Sequence, residues 1–453
     1  MNSYLISSTK KSSGKTILTV GLLNILKNLN LNPSPFKKGP DFIDPLWLTK
    51  AAGNPCYNLD FYTSSNLEIK ETFKSNILST SIAIVEGNKG LFDGLSVSGS
   101  DSNAALAKLL KLEVLLVLDC MGTTRGVAPL LNGYKDFDKK IKFKGVILNN
   151  IAGDRHEGKI IESIKEHTDF NVLGSIWRNT KLEVLERHLG LEPVFQTSNS
   201  NKIINQIASI VKSSIDLDTI IPKKIKQNKI KKAHHSKNKP RRKNINLGIA
   251  LDKAFGFYYP DDIERFKQLG VTLKPFDTIK DPKLPDVDAL FIGGGFPETV
   301  ATQLAKNIKM KSSIFSFIDS GKPVYAECGG FMYLCESIIF NSKQYKMVGL
   351  IKGKIKMYKK PIGRGYTSLN INKQHPWWKK QNEIKAHEFH YSDVKLPNKK
   401  YKFAYDVKRG YGINGKKDGL VYKNLLASYT HLRNTKQSKW VEDFVNFVYQ
   451  CKE

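Results

Sequence analysis

No stretch of this sequence is long and apolar enough to cross a bilayer: a spanning helix needs about 20 such residues, and every apolar run here is interrupted sooner. Cysteine is scarce, five in 453 residues (Cys56, Cys120, Cys328, Cys335, Cys451), widely spread and without a CxxC pair. That excludes a disulfide framework and suits a reducing compartment in which at most one or two cysteines do chemistry. The opening Met1-Asn2-Ser3-Tyr4-Leu5-Ile6-Ser7 is too short and polar for a signal peptide and reads as a first strand, so the expected location is the cytoplasm. Acidic residues are in the minority, 42 against 72 Lys and Arg, for a net charge of +30. Such an excess raises nucleic-acid binding by phosphate neutralisation. The lysines are scattered, however, and their densest run falls in an apparent linker, so nucleic acid is not the expected partner. Attraction of a polyanionic small substrate is equally compatible with the charge.

What is present is a soluble globular composition, 40% apolar and 10% aromatic, with length for two or three domains. Residues 3–7, 82–85, 114–119 and 145–149 form short apolar runs that alternate with helical stretches at about 15–29, 101–111 and 157–167. Strands alternating with helices imply a mostly parallel, doubly wound sheet, whose function gathers at the carboxyl ends of its strands. Residues 222–244 carry many like charges and almost no apolar content, which predicts an exposed linker; His234 and His235 within it lack partners for a metal. The α/β rhythm restarts with strands at 246–251, 289–292 and 323–326 and a helix at 261–269, giving a second α/β domain over 245–453.

Two clusters carry chemistry. Ser12-Ser13-Gly14-Lys15-Thr16 lies between a strand and a helix, where backbone N–H groups and the helix N-terminus surround an anion, Lys15 adds a point charge and Thr16 can hold Mg²⁺. Lys10 lies five residues before Lys15, the spacing of the extra lysine in deviant phosphate loops; a phosphate contact and a solvated side chain are both open. Asp41 and Asp44, bracketed by Pro40 and Pro45, suit a rigid loop that ligates Mg²⁺ or positions substrate, or a plain turn. Glu86, at a strand's carboxyl end, is a further Mg²⁺ candidate.

In the second half, Ala326-Glu327-Cys328-Gly329-Gly330 follows a strand and precedes an apolar helix. A sharp strand–nucleophile–helix turn exposes the side chain, small glycines permit the turn, and the helix N-terminus is expected to lower the thiol pKa. The other four cysteines lack this context and are assigned to buried structural positions. The base that a nucleophilic cysteine needs can come from His375, His387, His390 or His431; sequence does not separate the last three.

Together these motifs resemble the cobyrinate a,c-diamide synthase family. The resemblance runs over essentially the whole chain outside the Lys-rich linker. It rests on Ser13–Thr16, Gly39–Pro45 (GPDFIDP), Asn58–Asp60, Glu86-Gly87 with Gly90–Gly94, Gly145–Asn149 and Glu186–Leu191. It continues through Ala254–Pro260, Gly293–Glu298, Tyr325–Gly330, His387–Ser392 and Ser428–Leu432. It implies two doubly wound α/β domains: a P-loop domain similar to dethiobiotin synthetase at 1–221, and a class I glutamine amidotransferase domain at 245–453. It further implies that Cys328 attacks glutamine and His431 activates it, with Gly294, Gly295 and Gly329 forming the oxyanion hole. ATP would be held by Ser12, Ser13, Gly14, Lys15, Thr16 and Asn149, and Mg²⁺ by Thr16, Asp41 and Glu86; Asp41 and Asp44 would position substrate. ATP would phosphorylate a carboxylate and ammonia would displace the phosphate. Many triad amidotransferases carry Glu two residues after the His, where this chain has Arg433, so the orienting acid is missing or comes from elsewhere. Cobyrinate is the first substrate expected. Altered residues at Lys10–Ser13, Glu86–Gly90 and Asn103–Leu106 resemble a branch thought to amidate sirohaem, and hydrogenobyrinate or a nickel-bearing sirohydrochlorin stay open. The same reading admits a homodimer and no membrane.

Overall fold

A computed structural model describes residues 3–77, 82–179, 193–221, 244–378, 382–397 and 401–452. The Glu186–Leu191 motif, His234, His235 and nearly all of the proposed linker lie outside the described residues. The chain divides into two compact units, Met1–His235 and Ser236–Glu453.

The first unit is built on seven strands: β1 (Ser3–Ser8), β2 (Ser34–Lys38), β3 (Tyr57–Leu59), β4 (Ala83–Glu86), β5 (Glu113–Asp119), β6 (Phe143–Ile151) and β7 (Val172–Trp177). They form one sheet in the order β3-β2-β4-β1-β5-β6-β7, with every pairing parallel. The uninterrupted apolar runs explain this, because a parallel sheet covered on both faces hides both sets of side chains. Tyr4, Leu5 and Ile6 of β1 and Val114 to Leu118 of β5 are all buried. Helices such as Lys15–Asn28, Val127–Phe137 and Asp154–His167 connect the strands. The register sets Ile6 beside Glu86 and Lys37 beside Glu86, so the ends of β1, β2 and β4 meet at one edge.

In the second unit β8 (Ile245–Ala250), β9 (Phe255–Phe257), β10 (Val271–Phe276), β11 (Ala289–Ile292), β12 (Gly294–Gly295) and β13 (Val324–Glu327) come first. The α/β rhythm then gives way to β14 (Cys335–Phe340), β15 (Lys343–Lys346), β16 (Ile351–Met357), β17 (Gly363–Ile371), β18 (Glu383–His390), β19 (Ser392–Lys395), β20 (Lys402–Arg409), β21 (Lys417–Tyr422) and β22 (Leu425–Ser428). The main sheet runs β10-β8-β11-β13-β22-β21-β20-β17-β18, parallel through β22 and antiparallel beyond it. A separate four-stranded sheet runs β15-β14-β16-β19. Its β16, Ile-Lys-Gly-Lys-Ile-Lys-Met, alternates buried and exposed residues, as expected for a sheet with one wet face. The helix Trp440–Lys452 buries Trp440, Phe444 and Val448 against Phe291 and Tyr325 on one face of the main sheet.

Candidate active sites

In the first unit the loop after β1 turns through Ser12 at φ 58° and Gly14 at φ 90° before the helix begins at Lys15. A side chain at Gly14 would be strained there and would also lie 2.3 Å from Asn149 Nδ2, which donates to the Ser13 carbonyl at 3.0 Å. Asn149 thus braces the loop from the end of β6. Lys15 Nζ donates to Ser8 Oγ at 2.8 Å, and burial lowers its pKa to about 8. Lys10 Nζ pairs with Asp119 at 2.8 Å.

Thr16 Oγ1 donates to Glu86 Oε1 at 2.8 Å. Lys37, which sequence reasoning passed over, lies at the centre of the predicted carboxylates. Its Nζ is 2.5 Å from both Asp44 and Glu86 and 3.8 Å from Asp41. Burial alone would discharge Lys37, but Asp44, Glu86 and Asp41 outweigh it and hold the amine well above the ordinary lysine range. Burial pushes Glu86 up against the pull of Lys37, and burial together with Asp44 pushes Asp41 up to about 8. Asp41 also serves its own turn, accepting from the Ile43 N–H at 2.9 Å. Among the described residues no three His, Cys, Asp or Glu side chains form an all-protein metal cage. Mg²⁺ in nucleotide sites needs only one or two carboxylates beside phosphate oxygens and water. The second oxygen of Glu86 is buried and accepts no hydrogen bond among the described residues, so the oxygen donors of Glu86, Thr16 and Asp41 fit such an ion.

In the second unit Cys328 lies between the end of β13 and the short helix Gly329–Leu334, with φ 45° and ψ −101°. Few non-glycine residues adopt such a backbone, and it costs on the order of 1–3 kcal/mol. The turn is held by Cys328 N–H donating to Ser428 O at 2.7 Å and Met332 N–H donating to Cys328 O at 3.0 Å. The first N–H of the helix, that of Gly329, does pull the thiol down, but it is outweighed. Burial, reinforced by the charges of Glu298 and Glu327, pushes the Cys328 thiol up, and the opposing Gly329 N–H is weaker. The reason is the site's enclosure: Cys328 is only 6% exposed.

Residues on both sides of Cys328 reach the other predicted groups. Glu327 Oε2 is 3.2 Å from His431 Nδ1. On the far side, a Cβ on Gly329 would lie 2.9 Å from Gly295 O, and one on Gly294 would lie 2.4 Å from His431 Cε1. Cys328, His431, Gly294, Gly295 and Gly329 are therefore gathered in one place. The structure also separates the histidines. His387 stacks on His431 with ring centroids 5.0 Å apart, and burial with the His431 charge holds it well below its usual range. His390 Nδ1 donates to Ser392 O at 2.7 Å, and its ring stacks on Tyr429. His375 is bound elsewhere, to Tyr405 and the Trp377 and Trp378 N–H groups. Cys56, Cys120 and Cys335 are buried as expected, but Cys451 is exposed, because it sits on the outer face of the last helix turn.

Two family models match: a CobQ/CobB/MinD/ParA nucleotide binding domain over residues 4–191, and a CobB/CobQ-like glutamine amidotransferase domain over residues 246–438. The chain is 39% identical to the cobyrinate a,c-diamide synthase of Magnetococcus marinus, covering 98% of this chain and 96% of that protein. The proteins of that name from Archaeoglobus fulgidus (38%, covering 94% and 93%) and Picrophilus torridus (36%, covering 99% of each) are similar over their length. The chain belongs to the cobyrinate a,c-diamide synthase family. It is thus a ligase with a nucleotide-binding domain and a glutamine amidotransferase domain. Within this family member, sequence reasoning missed two residues, Lys37 and Glu327. Glu327 ends β13 and Lys37 is the penultimate residue of β2, each beside a predicted site residue, a signal that the carboxyl ends of strands in α/β sheets offer in general.

Proposed function

We propose that this protein amidates the a- and c-side-chain carboxylates of cobyrinate, using glutamine or free ammonia as nitrogen donor and ATP as the driving co-substrate, in the cytoplasm. The observation that carries the reading is the convergence of Cys328, His431 and the Gly295–Gly329 backbone in a chain whose other unit presents a phosphate loop beside Lys37 and three carboxylates.

His431 accepts the Cys328 proton as the sulfur attacks the glutamine amide carbon. Burial favours the neutral thiol, so Cys328 depends on a base to take its proton. Backbone N–H groups at Gly295 and Gly329 steady the oxyanion. His431 then returns the proton to the departing ammonia, and water cleaves the thioester to glutamate. In the first unit the N–H groups of Ser13 to Thr16 and the Lys15 ammonium bind the ATP phosphates, while Asp44 and Lys37 orient the carboxylate. Mg²⁺, held by Thr16, Glu86 and Asp41, supplies charge neutralisation on the phosphates when bound. The carboxylate oxygen takes the γ-phosphoryl group and releases ADP. Ammonia attacks the acyl carbon, and phosphate leaves with the former carboxylate oxygen.

The test supplies ATP, Mg²⁺ and glutamine with cobyrinate, hydrogenobyrinate or sirohaem, and reads products by mass. Cobyrinate mono- and diamides are expected. Cys328→Ala should lower glutamine-dependent turnover by about 10³-fold or more while ammonia-dependent turnover persists. Amides of sirohaem alone would overturn the substrate. Glutamate release that ATP does not stimulate, with Cys328→Ala equal to wild type, would overturn the mechanism.

A further inference from the structure

We propose that Glu327, the residue immediately before the nucleophile, is the positioning acid that orients His431. The inference deepens the reading of Cys328 and His431 as a glutaminase pair and rests on it.

The position two residues after His431 is occupied by Arg433, a cation whose guanidinium is engaged with Asp261 at 3.0 Å and lies over the Tyr259 ring at 5.3 Å. It cannot steady an imidazolium. Glu327 is the final residue of β13 and pairs in register with Ser428, the final residue of β22. His431 follows three residues later, and its backbone is fixed by an antiparallel bridge to His387, with the His431 N–H donating to His387 O at 2.8 Å. Adjacent parallel strands therefore deliver the acid and the base to one spot, and the next residue along β13 is the thiol. Directly after Glu327 the chain turns sharply at Cys328, with φ 45° and ψ −101°.

Three donors converge on Glu327. Oε1 accepts from Tyr325 Oη at 2.6 Å and from the Leu432 N–H at 2.9 Å, and Oε2 faces His431 Nδ1 at 3.2 Å. Glu327 and His431 are both buried, at 2% exposure each, so water does not compete for the contact. A carboxylate opposite Nδ1 places the ring proton on that nitrogen and leaves Nε2 with the lone pair that a base needs. It also balances the imidazolium formed when Nε2 takes the Cys328 proton, a charge that burial would otherwise oppose. Of the neighbouring carboxylates, Glu388 accepts from the Tyr411 and Gly412 N–H groups and Asp261 is held by Arg433.

Glu327→Gln keeps the size of the side chain and an acceptor for Leu432 and Tyr325. Its amide would donate to Nδ1, selecting the tautomer with the proton on Nε2, which cannot act as base. Glutamine-dependent kcat is expected to fall by about 10²–10⁴-fold, with KM for glutamine within about threefold of wild type. Ammonia-dependent amidation and the thermal transition should stay unchanged. Glu327→Asp, a shorter carboxylate, should recover part of the lost kcat, and the His431 ring ¹⁵N shifts should report the tautomer change in Glu327→Gln. The proposal is overturned by a glutamine-dependent kcat within threefold of wild type. It is equally overturned by a loss shared by ammonia-dependent amidation and by the melting temperature, which would mark a structural residue. If Cys328→Ala still releases glutamate at the wild-type rate, the glutaminase reading itself falls. A failed Glu327→Gln beside an inactive Cys328→Ala removes only the role of Glu327.

Discussion

Lys38 shows how a single buried charge makes stability depend on pH. Its amine donates to Asn88 Oδ1 at 3.0 Å, and burial, against the pull of Asp60 and Asp101, lowers its pKa from 10.5 to about 8. Below pH 8 the amine is protonated in both states, and the folded state bears the cost of burying it. Between about 8 and 10.5 the unfolded chain binds more protons than the folded one, so this residue's contribution to stability rises with pH. The full excursion corresponds to about 3 kcal/mol. Lys38→Met should therefore stabilise the protein relative to wild type most near pH 7, and that advantage should shrink steadily towards pH 10.5 in denaturant titrations. An advantage independent of pH would show that the amine is not carrying a buried charge. Residues of this kind were poorly legible in the sequence. Gly-Lys-Thr and the Cys328 elbow are local patterns and could be read directly, as could the pairing of Asp41 with Asp44. Lys37, Lys38 and Glu327 draw their meaning from a neighbouring strand, Glu86 for Lys37 and His431 for Glu327, and no local spacing encodes that register.

At the scale of elements, a turn that must be tight and a helix that need not be separate two glycines that look alike in sequence. Gly330 lies in the elbow helix, where a Cβ would come within 2.2 Å of the Ile292 carbonyl oxygen, an atom of the main sheet with no freedom to withdraw. Gly158 lies in the helix Asp154–His167 with nothing within 4 Å of the same position. Gly330→Ala should destabilise the protein by about 1–3 kcal/mol and displace Cys328, sharply reducing glutamine-dependent turnover. Gly158→Ala should stabilise by about 0.5–1 kcal/mol through the lower entropy of the unfolded chain and leave both activities intact. Comparable melting temperatures for the two variants would refute the packing argument. Seven of the parallel strands, β1, β4, β5, β6, β8, β11 and β13, were legible as short apolar runs, and their observed limits fall within one or two residues of the expected ones. The parallel strands β2 and β10 were not, because lysine and proline interrupt their apolar content. The antiparallel strands after β14 were not. Several, such as β15 and β20, carry so much lysine that their alternation is hard to tell from a charged loop until a partner strand supplies the ladder.

For the whole molecule the decisive feature is that each unit closes a core of its own. In the first, Leu5, Phe36, Val85, Leu116 and Leu148 pack together with the flanking helices. In the second, the main sheet has one cluster around Ile292, Ala326 and Phe331 and another around Phe291, Tyr325, Trp440 and Phe444. Core burial is what offsets chain entropy, so a unit that completes its core should fold without the other. Every residue assigned to glutamine hydrolysis lies after residue 236, and every residue assigned to phosphate binding lies before 235. Fragments 1–235 and 236–453 should therefore each give one cooperative calorimetric transition. At about 0.7 kcal/mol per residue near 60 °C, their unfolding enthalpies should sum to that of the intact chain. The second fragment should keep a Cys328 that a glutamine-like alkylating reagent modifies faster than Cys335, which lies in the core. The opposite result, a fragment with no near-ultraviolet circular dichroism and no cooperative melt, would mean that its core is completed only by the other half. The ammonia-dependent and glutamine-dependent reactions could then no longer be assigned to separately folded units.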